Sequence, residues 1–552
     1  MRIVVILLFV CISNICMAER VHVKTFGAIA NDEIDDTKAL RKALDYARAN
    51  QGTTLLFEKG VYLIKDDKAL DIERRALSGE FGDNIERKIF TPYFNYAKGL
   101  DFSGIKDLVW EAEDAMLLCE GWMEPLSIGD ASNITIKGLT IDYIRKPFVT
   151  GVLKSIDNES FTIEVNKGRK IDNSMPLTRL TFWDKEIGRV DPYVIYNPKR
   201  RSINGNMVTF EGNPGTHLIG SDVNINHSMH FCPAIMIIRS NDVVLKDVTI
   251  HSQAGMGVVG FDSHNILMSG LSIKPSPGYT QSTNTDATHF AACTGLIRFE
   301  NCYFQGQGDD ATNVHGYYQS LTMVGDKRLR LTQENATFTH SLQTDVPRIG
   351  DQMEIVERKS LKPIGKIIVT NSFHKGTDTF SEIEFSGELP EGSLSDYYVM
   401  NISKLPNLEF ENNMINSHLA RGILVKTRGV KIVNNVFRYC TGTAIHIGAE
   451  SGWWEGTHSQ DVLVKNNIMI GCGSGSGGQG GASGIAVIIE ASDTQGSYLH
   501  DNIRIENNHI IGENHSCGIF VGNAKDVVLK NNHVSNCHEV YKTHSVANLT
   551  IE

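Results

Sequence analysis

The stretch Val243-Val244-Leu245-Lys246-Asp247-Val248-Thr249-Ile250 returns 23 residues later as Ile266-Leu267-Met268-Ser269-Gly270-Leu271-Ser272-Ile273. In each copy a short alternating apolar run meets a polar turn and resumes as a second short run. A unit of that length cannot bury its own apolar face, so copies must stack to share one core. Stacked strands then run parallel, about 4.8 Å apart. The reading is an all-β parallel β-helix. Later copies carry an Asn pair at the turn: Asn412-Asn413, Asn434-Asn435, Asn466-Asn467, Asn507-Asn508 and Asn531-Asn532. The second Asn steps by 22, 32, 41 and 24 residues, so the short steps are minimal coils and the long ones carry loops, such as the glycine-rich run 471–484. Asn tolerates left-handed turn geometry and its amide can stack as a ladder, which makes these residues structural.

Outward from the repeats, two regions lose the period and read as hairpins, 147–228 and 318–402. Both are expected to be antiparallel β modules inserted into the helix, either purely architectural or shaping the cleft or a contact between two copies of the chain. At the amino end, 21–26 reads as a strand ended by Gly27, and Asp35, Asp36 and Thr37 can cap a helix with Ala39, Leu40, Ala43, Leu44 and Ala47 on one face. That helix should plug the open end of the coil stack. The expected division is a leader over 1–18, coils over 19–146, the first insert, coils over 229–317, the second insert, and coils over 403–552.

Met1 and Arg2 precede an apolar run over 3–12, and Ala18 precedes charged Glu19 and Arg20. This is the pattern of a cleaved export signal, so the mature chain is expected in the periplasm or the medium. Val10 and Ile15 stand where a lipoprotein signal would place a small residue before Cys11 or Cys16, which favours cleavage after Ala18 over a lipid anchor. No later stretch is apolar for long enough to span a membrane. The eight remaining cysteines lack metal or redox spacing and read as small buried hydrophobes rather than a disulfide framework. A net charge of -11 argues against nucleic acid as a partner and makes a neutral ligand easier to hold.

Chemistry concentrates between Gln281 and Gly316, where Asp286 is followed one repeat later by adjacent Asp309 and Asp310. An adjacent Asp pair alone usually marks a solvated turn; register sets this one apart. Ile250, Ile273 and Phe304 mark one place in three coils, but the last step is 31 residues, eight longer than the one before. Assigning the excess to a loop over 274–283 puts Asp286 and Asp309 each five places beyond its marker, on adjacent coils in one column, with Asp310 beside them. Three like charges so close cannot all ionise, so one should keep its proton as an acid while another serves as base, the pair that glycoside hydrolysis requires. Asn284, His289, Asn313 and His315 are either partners of hydroxyls and carboxylates or satisfied turn residues. Trp453 and Trp454, in a glycine-bounded loop, read as sugar platforms with Glu450 and Glu455 beside them for hydroxyls. His446 alternates with Ile445 and Ile447 and either lines the cleft or sits at an edge; Arg421 is equally open. No His/Cys cluster has ligand spacing, so neither a metal nor a cofactor is expected.

The order of strand, Phe26-Gly27-Ala28, Asp35-Asp36-Thr37 helix start and strand resembles the start of pectate-lyase-like right-handed β-helix proteins. Asn284-Thr285-Asp286, Asp309-Asp310 and His315-Gly316 resemble in order the Asn-Thr-Asp, Asp-Asp and His-Gly signatures of polygalacturonase-type inverting hydrolases. Val314 stands where those enzymes usually have a glycine, and their uronate-binding Arg-Ile-Lys is missing, since Arg421 and Lys426 have the wrong spacing. Taken whole, with the two inserts, the stretch 307–317 and the run 450–456, the chain resembles the bacterial α-1,3-galactosidases of glycoside hydrolase family 110. That resemblance implies an inverting exo-galactosidase, without a cofactor, removing terminal α-1,3-linked galactose from oligosaccharides or glycoconjugates, including blood group B structures; the sequence does not decide between linear and branched α-1,3-galactosides. It further implies a catalytic triad of Asp286, Asp309 and Asp310; by the polygalacturonase analogy Asp309 is the acid, and Asp286 with Asp310 handles the water. The competing readings are a hydrolase or lyase of pectic polysaccharide, weakened by the missing Arg-Ile-Lys and the negative charge, and a non-catalytic carbohydrate-binding β-helix, which would not need the carboxylates.

Overall fold

The computed structural model describes residues 19–552 apart from 83, 92–93, 167–170, 334–343, 377 and 476–477. The leader over 1–18 and part of the glycine-rich run thus lie outside the described residues. The rest is a right-handed parallel β-helix with three ladders. One passes through Ile235–Ile238, Val258–Phe261, Thr288–Ala291 and on to Ile423–Val425 and Ile445–Glu450. A second carries the Val243 and Ile266 strands into Thr294–Glu300 and Asn407–Glu411. The third stacks Ile250 on Ile273 and Ile273 on Phe304, all fully buried, so the residues that mark the repeat also fill the core.

The two residues of each Asn pair divide the turn between them. The first, Asn412, Asn434, Asn466, Asn507 and Asn531, takes positive φ between 51° and 60°. The second builds a ladder in which each amide donates to the next coil's amide oxygen: Asn413 to Asn435 (3.0 Å), Asn435 to Asn467 (2.9 Å), Asn467 to Asn508 (3.0 Å) and Asn508 to Asn532 (2.9 Å). The same oxygens accept the backbone N–H of the preceding Asn, as at Asn413 N to Asn435 Oδ1, 2.8 Å. Every buried amide in the ladder is therefore satisfied along the stack.

At the amino end the helix Thr37–Ala49 buries Leu40, Ala43, Leu44 and Ala47. Two local expectations are corrected. The strand covers only Arg20–His22, and Val23–Phe26 is a 3-10 turn closed by Gly27 at φ 100°. Asp36 does not cap its helix with its side chain; it accepts from the N–H groups of Ile29 (3.0 Å) and Leu63 (3.1 Å), tying the preceding loop to the first coils, while Asp35 accepts the Thr37 N–H. A second helix, Asp67–Leu77, is capped by Asp66.

The first insert is a seven-stranded antiparallel sheet running from Phe148–Ile156 to Asp222–Asn226 around its own core of Leu153, Phe161, Phe182 and Phe210. The second continues the strand Thr312–Gly325 out of the coil and folds it against Arg328–Thr332 and Tyr397–Asn401, with Leu329, Ile355 and Ile383 inside. All eight cysteines after the leader are free thiols; Cys537 is half-buried and the others are buried.

Candidate active site

Register brings the carboxylates together, one residue away from the expected alignment. Thr288 pairs with Thr312 and His289 with Asn313, an offset of 24, and the Ala287 N–H donates to the Asp310 carbonyl at 3.0 Å. Asp286 therefore stacks on Asp310, not on Asp309. The loop after Ile273 is seven residues longer than a minimal coil, not eight, because Ile273 to Phe304 spans 31 where the following pairs span 24. Asp309 sits one place earlier in the turn between Tyr303–Gln305 and Thr312–Gly325, where no strand alternation forces its neighbour to the opposite face. The Asp310 N–H donates to Asp309 Oδ1 at 3.1 Å, so adjacent carboxylates share one concavity.

That turn is fixed from outside the helix. Arg179, on the first insert's strand Arg179–Asp184, is 1% exposed, and its guanidinium donates to the carbonyls of Gly308 (2.6 Å) and Asn284 (2.5 Å). A Cβ on residue 308 would lie 2.1 Å from Arg179 Nη2, so only glycine fits there. His418 adds an Nδ1 contact to the Asp309 carbonyl at 3.1 Å.

All three carboxylates open into a cavity of about 300 Å³ that His289, Asn313, Arg421, Glu450, Trp453 and Glu455 also line. Their environments differ. Asp310 is held by Arg421, whose Nε lies 3.1 Å from Oδ1 and whose backbone N–H donates to the same oxygen at 2.7 Å. Asp286 Oδ2 lies 2.8 Å from His289 Nδ1. Asp309 makes no ion pair among the described residues and is the most exposed of the three. Burial raises all three carboxyl pKa values, that of Asp310 furthest; Arg421 pulls Asp309 and Asp310 back, His289 does so for Asp286, and neighbouring carboxylates push Asp286 and Asp310 up. His289 is itself raised: burial would lower it, but its hydrogen bond to Asp286 and the charge of that carboxylate prevail.

Behind the carboxylates runs a continuous buried ion network. Arg421 reaches Glu450 at 3.6 Å, Lys426 binds Glu450 at 2.5 Å and also Glu455, and Glu455 accepts from Asn313 Nδ2 at 3.0 Å. Removing Arg421 would leave Asp310 without its cation, and removing Lys426 would leave Glu455 without its own, so the walls of the cavity are electrostatically interlocked.

Four residues expected at the site do not line the cavity. Asn284 is fully buried, accepting from Gln281 (2.8 Å) and Asn226 (3.0 Å) and donating to the Ser228 carbonyl (2.9 Å); its task is to hold the coil to the first insert. His315 lies behind His289, His446 is buried 3.6 Å from Glu490, and Trp454 turns outward at φ 59° to pack on Tyr398 and Arg358 of the second insert. The Trp pair thus splits: Trp453 faces the cavity, 41% exposed, and Trp454 anchors its loop. Arg179, Tyr196, His230 and Met256 line the cavity without any sequence signal, since all four lie outside the 281–316 stretch on coils or strands that only folding brings near. Lys426 was legible only as a misplaced member of an Arg-Ile-Lys motif.

No family model matches the chain. Among curated proteins it is similar to alpha-1,3-galactosidase B of Bacteroides thetaiotaomicron, 26% identical over 500 residues, 83% of this chain and 77% of that protein. It is likewise similar to alpha-1,3-galactosidase B of Parabacteroides distasonis, 26% identical over 556 residues, covering 92% and 87%, and to alpha-1,3-galactosidase A of Shewanella woodyi, 25% identical, covering 90% and 83%. Among solved structures it aligns with the A-module of a mannuronan C-5 epimerase from Azotobacter vinelandii, 12% identical at a TM-score of 0.46, covering 97% of this chain and 100% of that one. A family 28 exopolygalacturonase from Yersinia enterocolitica aligns at a TM-score of 0.42, with 12% identity over 97% and 78%. Along nearly its whole length, then, the chain is a relative of the bacterial α-1,3-galactosidases.

Proposed function

We propose that the protein is an exo-acting glycoside hydrolase that removes terminal α-1,3-linked galactose with inversion at the anomeric carbon. The observation that carries this is the meeting of three carboxylates in one cavity in three different settings, Asp310 paired with Arg421, Asp286 with His289 and Asp309 with no ion-pair partner among the described residues. Asp309, raised by burial and bound by no cation among the described residues, takes the acid's role and delivers a proton to the glycosidic oxygen as that bond breaks. Asp310 on Arg421 and Asp286 on His289 are oriented as acceptors and take a proton from the water that attacks the opposite face of the sugar. The water oxygen bonds to the anomeric carbon, the aglycone leaves with the Asp309 proton, and solvent exchange resets both sites. Trp453 offers an apolar face to the ring, and Glu450 and Glu455 offer acceptors to its hydroxyls. The relatives' names support galactose as that sugar. A pectic substrate is disfavoured because Arg421 and Lys426, the cations that would meet a uronate, are already bound to Asp310, Glu450 and Glu455. On the leader pattern we place the reaction outside the cytoplasm.

A panel of α-galactosides tests this. Galactose should be released from α-1,3-linked substrates, branched or linear, with α-1,4- and α-1,6-galactosides and polygalacturonate left intact. Depolymerisation of polygalacturonate would overturn it.

A further inference from the structure

His315 is fully buried and takes no part in the proton transfers above. Its Nδ1 lies 2.8 Å from the carbonyl oxygen of Gly316, which can only accept, so the ring proton sits on Nδ1. Burial holds its pKa down at about 3; the ring is neutral and Nε2 carries a lone pair. That lone pair faces His289 Nε2 at 2.8 Å, and the other nitrogen of His289 faces Asp286 at 2.8 Å. Glu455 Oε1 lies 3.7 Å from the same His315 Nε2, while its Oε2 is engaged by Asn313 and Lys426. Remove the proton between the rings, and two imidazole lone pairs and one carboxylate oxygen converge within 4.8 Å of one another. Each ring's outer nitrogen already donates to a carboxylate or a backbone carbonyl, the arrangement that orients histidines bound to metals.

We propose that His289 Nε2, His315 Nε2 and Glu455 Oε1 bind a divalent transition-metal ion of the zinc type, and that the bound ion inhibits the enzyme; the second half rests on the hydrolase reading above. Metal–ligand bonds of about 2.0–2.1 Å in a tetrahedron set ligand atoms about 3.4 Å apart. The present 2.8 and 3.7 Å separations bracket that spacing. Two imidazoles with one carboxylate suit zinc far better than calcium or magnesium, which take oxygen shells. Charge agrees. Once His289 gives its extra proton to solvent, Asp286, Asp310, Glu450 and Glu455 face only Arg421 and Lys426 within the network, and a dication balances them. No step of hydrolysis passes through the ion. It pins the Nδ1–H of a neutral His289 on Asp286, lowering that carboxylate's basicity, and its open position holds water in the cavity where the sugar would lie. The other His-carboxylate group, His446 with Glu450 and Glu490, is less suited, because Lys426 and Arg421 already crowd Glu450.

Titration calorimetry of tag-free, chelator-stripped protein with ZnCl2, in two buffers of different ionisation heat and without substrate, tests binding apart from activity. One ion per chain, release of about one proton and no heat with MgCl2 are expected. His315→Gln and Glu455→Gln should each weaken binding by at least about tenfold, with circular dichroism confirming that each variant is folded; if one unfolds, the other decides. His509→Gln, in an exposed pair with rings 4.7 Å apart from His533, should leave binding unchanged. Absence of binding, or loss with His509→Gln instead of the buried variants, would overturn the site. Zinc should lower the turnover of the wild type and chelator restore it; activity that chelator removes and zinc restores would overturn the inhibitory role.

Discussion

Asp309 and Asp286 have separable tasks, so their amides should fail for different reasons and by similar amounts. Asp309→Asn removes the acid and Asp286→Asn weakens the base. Each should lower kcat by at least about a thousandfold, since a lost proton donor or acceptor removes several kcal/mol of transition-state stabilisation. Circular dichroism should show both variants folded; near-normal turnover in either would refute its assignment. Arg179 acts on Asp309 from a distance. Its positive charge lowers the Asp309 pKa against the raising effect of burial, so Arg179→Met should raise that pKa further. The acid then stays protonated to higher pH, and the basic limb of the kcat/KM profile should move up while kcat falls because the Gly308 carbonyl loses its donor. An unchanged basic limb would remove Arg179 from the electrostatics of the site. The meeting of Asp286, Asp309 and Asp310 was legible in the sequence because Asp is chemically conspicuous and the repeat supplies a ruler. Arg179 was not, because the contact crosses 129 residues and its function lies in binding backbone carbonyls, which leave no mark on the residues that own them.

Within the coils the Asn turn carries a claim of its own. Asn435 donates to Asn467, accepts from Asn413, and is fully buried, so Asn435→Ala takes the shared acceptor from the Asn413 backbone N–H and amide and removes one of the two donors to Asn467 Oδ1. A loss of about 2–4 kcal/mol is expected, from the chain of buried hydrogen bonds broken. Asn434, with φ 60°, needs only its backbone: Asn434→Gly should be close to neutral and Asn434→Ala should cost about 1 kcal/mol. Denaturant melts of the three variants check the order. The sequence showed the period, the pair and the ladder, since Asn-Asn recurs at each turn. It did not show the 3-10 turn at Val23–Phe26, where β-branched and aromatic residues favour a strand but Gly27 lets the chain turn back, nor the helix Asp67–Leu77, whose Asp66 cap lies among other charged residues. The one-residue error in aligning Asp286 has a local source: the pairing of His264–Ser269 with Thr294–Glu300 slips by one residue after Thr294, so one of the eight extra residues is a bulge in that strand and not part of the loop.

At the scale of the whole molecule, both inserts serve the cavity. The first holds the turn that carries Asp309 and Asp310 through Arg179, and the second receives Trp454 on Tyr398, which fixes the loop that presents Trp453. Hairpin-like sequence revealed that these modules exist, but which surface of the β-helix each covers depends on contacts across the fold. Buried titratable groups also make stability depend on pH. Glu124 is fully buried and pushed up to about 7, so its contribution is fully present below its unfolded pKa, about 4.5, and is lost as pH climbs through 7. Glu124→Gln should therefore gain in Tm relative to the wild type between pH 5 and pH 8, and a constant difference would contradict that assignment. The central claim concerns the reaction, and product stereochemistry tests it most directly. With proton NMR following the first turnovers on an α-1,3-linked galactoside, the anomeric signal of β-galactose should appear first and the α-anomer only as mutarotation proceeds. Initial release of α-galactose, or a trapped covalent galactosyl enzyme, would contradict the roles given to Asp286, Asp309 and Asp310.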